Sequence, residues 1–245
     1  MIKDLENKRL LVFEDNRNFL SLYTMKPIDF KKYKEDCIYD IEKQINNNFR
    51  KVIMPGQNHT ANVAIVTEEN IDEAFSNTDG LITNIKNVAL ITSLADCQGI
   101  LLYDKKKNVI ANIHSGWKGT LKGIVKKCVE MMINNFQSNP LDIVVQITPS
   151  ILGCCFEVDE DVKNLFIESF KDINNYIKVG DIIDNKQKYY IDTTIINREV
   201  LIGLGIPYNN IKISNYCTKC NNKYFHSYRC EKDNSGRNIA LIYLK

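Results

Sequence analysis

Thiols and imidazoles are the groups in this chain best suited to hold a metal or attack an electrophile. The sequence has eight cysteines but only three histidines, so any imidazole chemistry must draw on His59, His114 or His226. Cys97 and His114 stand 17 positions apart, at the head and tail of the stretch LADCQGILLYDKKKNVIANIHSGWKGT (94–120). Apolar runs at 99–103 and 108–113 flank the polar tetrad Asp104-Lys105-Lys106-Lys107, which is the pattern of a β-hairpin. A hairpin brings its open ends together, so the thiol and the imidazole are expected within reach of each other. A thiolate beside an imidazole serves either as part of a metal site or as a nucleophile with its base.

A second constellation lies near the C-terminus. Cys217, Cys220, His226 and Cys230 follow the spacing C-x2-C-x5-H-x3-C, close to that of a zinc knuckle. No glycine falls between Cys217 and Cys230 to wrap so tight a loop, and there is no second knuckle. The vicinal pair Cys154-Cys155 is too short-spanned for an easy mutual disulfide and reads as packing under a loop. Arg229 and Arg237 straddle the turn sequence Asp233-Asn234-Ser235-Gly236, where two guanidinium forks suit a phosphate. Gly119, Thr120 and Lys118 fall at the start of a helical pattern, another place that favours an anion.

The elements that support these residues follow from periodicity. Apolar residues recur at helical spacing over 29–49, 121–136 and 159–170, and Thr193 or Asp192 is the expected cap of a further helix running to Gly203. Asp29 is the expected cap of the first of these. Cys37 and Cys128 lie on the apolar faces and read as core residues. Short apolar runs at 9–14, 52–54, 62–66, 88–93, 142–147 and 238–244 read as strands, as does the run after Asp79-Gly80. The Asn-rich stretch 171–188 reads as loop. His59 sits on a polar loop between strands, two residues after Gln57.

Composition sets outer bounds. A net charge of +2 gives no basic field for nucleic acid, and 44% hydrophobic with 25% charged residues is ordinary for a globular protein. The opening MIKDLENKRLLVFEDN lacks the marks of a signal peptide, and no apolar run approaches the ~20 residues that span a bilayer. The expectation is a cytoplasmic protein, with no membrane partner and with reduced cysteines.

Seven stretches together point to one family: QNH at Gln57, DGLIT at Asp79, LADCQGILLYD at Leu94, IHSGWKGT at Ile113, PSILGCCFEV at Pro149, CT at Cys217 and FHSYRCEKDNSGR at Phe225. They resemble the YfiH-like, laccase-domain family, long named for multicopper polyphenol oxidoreduction. Some of its members are described as purine nucleoside phosphorylases with adenosine deaminase and methylthioadenosine phosphorylase activity. The resemblance covers about residues 55–245 and is most specific in the pair ADC and H-x-GW-x-GT. It implies an α/β fold of α+β type, with mixed sheets in α/β/β/α layers. It also implies a single domain over 1–245 with a divergent N-terminal part, 1–54.

The resemblance further implies a zinc held by His59, Cys97 and His114, and purine nucleoside and phosphate as substrates of a monomer or weak homo-oligomer. Catalysis is then expected from Cys97, His114, His59 and Asp96, with Asp96 handling a proton or binding sugar. Lys118, Arg229, Arg237 and Gln57 are the expected substrate and phosphate contacts. The chain departs from the family pattern at Thr60 and Thr148, where glycine is usual, and at Lys118 and Cys230, where arginine is usual. A lysine lacks the donor fork of an arginine. Three rivals fit parts of the sequence. Cys97 and His114 suit a Cys–His hydrolase or deamidase. A His2Cys set can hold copper, although multicopper oxidation needs many more histidines than three. The Cys217 region suits a zinc-knuckle binding module.

Overall fold

The computed structural model describes residues 9–245, and the first eight residues of the N-terminal part expected to diverge, 1–54, lie outside that description. In chain order the strands and helices are β1 (Leu10–Asp15), β2 (Phe19–Thr24), α1 (Lys34–Ile45), β3 (Lys51–Ile53), β4 (Val63–Ile65), β5 (Gly80–Thr83), β6 (Val88–Leu94), β7 (Gln98–Asp104) and β8 (Val109–Ser115). There follow α2 (Trp117–Leu121), α3 (Ile124–Phe136), β9 (Ile143–Ile147), β10 (Glu157–Val158), α4 (Glu160–Ser169), β11 (Ile177–Ile183), β12 (Lys186–Ile191), α5 (Thr193–Gly203), β13 (Ile211–Ile213), α6 (Tyr228–Glu231) and β14 (Asn238–Leu244). None of the described helices is long and apolar enough to cross a membrane.

The strands form three sheets. One runs β1-β2-β14-β6-β3, a second β13-β9-β7-β8-β5-β4, and a small third β10-β12-β11. The two large sheets pack face to face through Tyr23, Leu90 and Ile242 on one side and Leu81, Leu101, Tyr103 and Ile110 on the other. Helix α1 covers the outer face of the first sheet, with Cys37 and Ile41 against Leu20, Leu22, Ile91 and Leu241. Helices α3 and α5 cover the outer face of the second, with Val125, Cys128, Met132 and Leu201 against Ile82, Ile100 and Leu102. The order of layers is therefore α/β/β/α. Strands between two covered faces bury every residue, which is why β7, β8 and β14 read as continuous apolar runs and not as alternating ones.

The structure corrects three expectations and adds one strand, β2, to the first strand expected at 9–14. Helix α1 starts at Lys34, and the carboxylate of Asp29 does not cap it; it accepts instead from the backbone N–H groups of Lys31 and Arg237. The helical pattern over 121–136 is two helices, parted by Gly123 at φ +72°, a left-handed conformation that favours glycine. Strand β2 pairs with both β1 and β14, so the first strand is half of a hairpin. The stretch 171–188 is no loop. It holds the β11–β12 hairpin, turned at Asp184 and Asn185. Its first strand, β11, is largely exposed, with Val179 and Ile182 about 70% accessible, so it carries no alternating apolar pattern to read.

One polar group bridges the two large sheets. Asn112 on β8 accepts from Thr92 Oγ1 at 2.9 Å and donates to the carbonyls of Leu90 and Ala240, each at 2.9 Å, across the interface. It is fully buried, so all its bonds are made inside the protein. Replacing it strands buried partners at a cost of about 1–3 kcal/mol. Asn112→Ala is expected to lower the urea midpoint by that amount of stability without changing the circular dichroism of the folded state.

Candidate metal centre and active-site cleft

The hairpin of β7 and β8 is present, and its register sets Gly99 opposite His114. Cys97, just before β7, therefore lies beside the His114 ring. Strand β5 flanks β8 on its other side, with Gly80 opposite Ile113. That places Asp79, one residue earlier, at the level of His114. His59 comes from the loop before β4, which runs parallel to β5. This loop enters at Gly56, whose backbone lies so close to Ser76 that a Cβ would fall 2.0 Å from its carbonyl oxygen.

The ligand-capable atoms of His59, Cys97 and His114 all lie within 4.8 Å of one another. His59 Nε2 is 3.8 Å from Cys97 Sγ, and the two imidazole rings meet edge to face at 4.8 Å between centroids. Gly116 closes the cradle. A Cβ there would stand 2.7 Å from His59 Cδ2 and 3.1 Å from Cys97 Sγ.

Asp79 orients the set. Its fully buried carboxylate meets His114 Nδ1 at 2.8 Å. It also accepts from the backbone N–H groups of Asn58, His59 and Thr60 and from Thr60 Oγ1. One carboxylate thus fixes the His114 tautomer, leaving Nε2 toward Cys97, and also folds the loop that presents His59. Burial pushes the Asp79 carboxyl up, but the bonds from His114 and Thr60 outweigh it and hold it well below the usual carboxylate range. Burial likewise raises the Cys97 thiol, and the facing His114 and His59 rings reverse this to about 6. Burial lowers His114, and Asp79 and Cys97 more than offset it, to about 9. Two negative groups sharing one imidazole make a place where a cation is favoured.

The trio lines a cleft of about 620 Å³ at the ends of the two large sheets. Its wall includes Asp96, in the three-residue crossing by which the chain leaves β6 in one sheet and enters β7 in the other. Asp96 sits at φ +81°, and each carboxylate oxygen accepts a 2.6 Å bond, one from Thr218 Oγ1 and one from the Arg229 backbone N–H. Arg229 and Arg237 both line the cleft. Their guanidinium groups bond backbone carbonyls, of Glu157 for Arg229 and of Ser235 and Gly236 for Arg237. Gln57 also lines it, but its amide is tied to both backbone groups of Ser93 at 2.8 Å. Lys118 is not brought to the cleft; it is exposed, with its ammonium 5.5 Å from the Trp117 ring centroid.

The C-terminal knuckle does not form. His226 is buried, its Nε2 3.0 Å from the carbonyl of Ile28, and Cys230 Sγ faces the Lys219 carbonyl. Asp79 was the residue missed at the sequence level. Its Asp-Gly step read only as a turn, and no spacing rule ties it to His114, 35 positions on.

A model of the multi-copper polyphenol oxidoreductase laccase family matches residues 35–245, and the chain belongs to this laccase-like YfiH family. The adenosine deaminase RL5, from an unknown prokaryotic organism, is 33% identical over 221 residues, covering 86% of this chain and 81% of that protein. The purine nucleoside phosphorylase YlmD of Bacillus subtilis (strain 168) is 31% identical over 84% of this chain and 75% of its own length. The crystal structure of Bacillus licheniformis hypothetical protein YfiH matches with a TM-score of 0.88 at 26% identity, over 98% of both chains. This chain, like the deaminase and the phosphorylase named above, is an enzyme.

The donor set fits a thiophilic divalent ion. It offers one thiolate and two imidazoles, with one imidazole backed by a carboxylate and a glycine keeping the space clear. Loss of such a backing group costs about 10–100-fold in metal affinity. Asp79→Asn is expected to weaken metal retention by that factor, measured by competition with a chromogenic chelator. Unchanged affinity would remove Asp79 from the role given to it.

Proposed function

We propose that this chain is a zinc-dependent purine nucleoside phosphorylase that also deaminates adenosine, with adenosine, inosine and methylthioadenosine as substrates. The observation that carries the reading is the meeting of His59, Cys97 and His114 in one cleft with Asp96, Arg229 and Arg237. The names of the relatives, a deaminase and a phosphorylase of purine nucleosides, support it.

His59, Cys97 and His114 would hold the ion. A zinc with three protein ligands supplies a Lewis acid and a bound water of lowered pKa. The protein's own groups do the rest. Ile151, Phe156 and Tyr228 give the cleft an apolar and aromatic wall suited to a purine face. Arg229 and Arg237 each spend only part of their five donors on backbone carbonyls, and the remaining N–H groups are available to phosphate. Asp96 is held rigidly by Thr218 and the Arg229 backbone, so its remaining lone pairs suit a ribose hydroxyl or a proton in transit. In phosphorolysis a phosphate oxygen bonds to C1′ as the C1′–N9 bond breaks, and the purine leaves with the electron pair and takes a proton. In deamination water adds at C6 and ammonia departs.

The copper oxidase reading has little to build on. The chain has three histidines, and His226 is turned to the Ile28 carbonyl, 3.0 Å away. The Cys–His hydrolase reading differs in needing Cys97 as a free nucleophile. The deciding measurement is a product profile from adenosine, inosine and methylthioadenosine with and without phosphate. Phosphate-dependent release of free purine base is expected, with release of ammonia from adenosine. Cys97→Ala and His114→Ala should each lower both rates by at least about 10²-fold, the scale of a lost acid–base or metal contribution. A wild-type rate in either variant, or no purine released from any of the three, would refute the proposal.

A further inference from the structure

Four cysteines outside the cleft converge. Cys154 and Cys155 lie on the loop that follows β9, and Cys217 and Cys220 on the turn that follows β13. The backbone explains why they meet. Strands β9 and β13 are parallel neighbours, with Val145 opposite Ile211 and Ile147 opposite Ile213, so both segments leave the sheet edge on the same side. The pairing then continues past the strands, through a parallel bridge between Ser150 and Cys217 and a 2.9 Å bond from the Thr218 N–H to the Ser150 carbonyl. Each segment delivers two sulfurs to one point.

The sulfurs are arranged as ligands. All four Sγ atoms lie within 4.8 Å of one another, with Cys155 to Cys220 at 3.3 Å and Cys154 to Cys220 at 3.7 Å. A tetrahedral ZnS4 site with Zn–S near 2.3 Å has sulfurs about 3.8 Å apart, so this spread brackets a single ion. An iron–sulfur cluster interposes sulfide and several irons and holds its thiolates further apart. No disulfide links any pair. Cys155 and Cys217 are buried and Cys154 and Cys220 exposed, so the group sits at the surface with an open path for an ion.

We propose that Cys154, Cys155, Cys217 and Cys220 form a structural zinc site with four thiolate ligands, separate from the His59–Cys97–His114 centre. With no position left open, the site does no chemistry of its own. It staples together the two segments that build one wall of the cleft. Thr218, between the two ligands of the turn, bonds Asp96 Oδ1, and the Ile151 N–H, on the other segment, bonds the Asp96 carbonyl. The site therefore fixes Asp96 from the outside. The knuckle spacing in the sequence has its first two cysteines right and its partners wrong.

The test is metal stoichiometry on the full chain, purified with zinc and dialysed against a weak chelator. The Cys154→Ser/Cys220→Ser chain is expected to hold one zinc fewer than wild type. The His59→Ala chain, which disrupts only the other centre, is expected to keep one zinc, with four sulfurs near 2.3 Å by X-ray absorption. Should the double serine variant fail to fold, the His59→Ala chain alone decides the matter. That outcome does not depend on the nucleoside activity, because it reads a site from which no histidine is drawn. A His59→Ala chain without zinc, iron in place of zinc, or nitrogen in the coordination shell would overturn the proposal. So would thiol titration of the unfolded, unreduced, chelator-treated protein giving fewer than the eight thiols of the sequence, since it would mean a disulfide at these sulfurs.

Discussion

The buried carboxylate of Asp79 is the interaction on which the cleft depends. A fully buried carboxylate is costly unless its oxygens are satisfied, and here His114, three successive backbone N–H groups and the Thr60 hydroxyl satisfy it. These bonds do two jobs at once. They hold the loop of His59 in a fold with positive φ at Gln57 and His59, and they aim the imidazole of His114 at Cys97. Thr60, where the family usually has glycine, adds a hydroxyl to this arrangement at 2.6 Å and does not disturb it.

The second constraint is the short passage between sheets. Leu94 ends β6 in one sheet and Gln98 begins β7 in the other, so Ala95, Asp96 and Cys97 have to change layer within three residues. Asp96 takes the left-handed backbone conformation that this requires, one of the few residue types that tolerates it. Sharp turns of this kind leave side chains at the rim of the sandwich and not inside it. The thiol and the carboxylate therefore project into the same cleft from adjacent positions. Around them Gln98, Thr193, Thr194 and Asn197 form a buried hydrogen-bonded set that locks α5 onto the start of β7. The rim is rigid on that side because every member of the set has a partner.

The two arginines also line the cleft, and the cysteine cluster lies behind it, outside the lining. Arg229 donates its backbone N–H to Asp96 and extends its guanidinium over Phe156, 5.9 Å from the ring centroid. Its position therefore depends on the same loop that carries Cys154 and Cys155. Asp96, Arg229 and the loop of Phe156 are mutually fixed: Thr218 Oγ1 and the Arg229 backbone N–H bond the Asp96 carboxylate, and the Arg229 guanidinium bonds the Glu157 carbonyl. An enzyme gains from such fixing, since preorganised donors and acceptors need no reorientation during reaction.

Local pattern was enough for much of this protein. The hairpin around Asp104–Lys107, the run at Asn238–Leu244 and a cap of α5 at Thr193 or Asp192, which the structure gives to Asp192, are all legible because each depends on neighbours in sequence: period, turn residues, cap. The trio His59, Cys97 and His114 was legible as well, through the hairpin and the motif resemblance. Tertiary structure alone decided the partners. Asp79 meets His114 because β5 lies beside β8, and Arg237 reaches the cleft while Lys118 does not because α2 turns its exposed face outward. Cys217 and Cys220 join Cys154 and Cys155, and not His226 and Cys230, because β13 runs parallel to β9 at the sheet edge. Strand order is a long-range property, set by which apolar faces can be buried together, and no spacing along the chain encodes it.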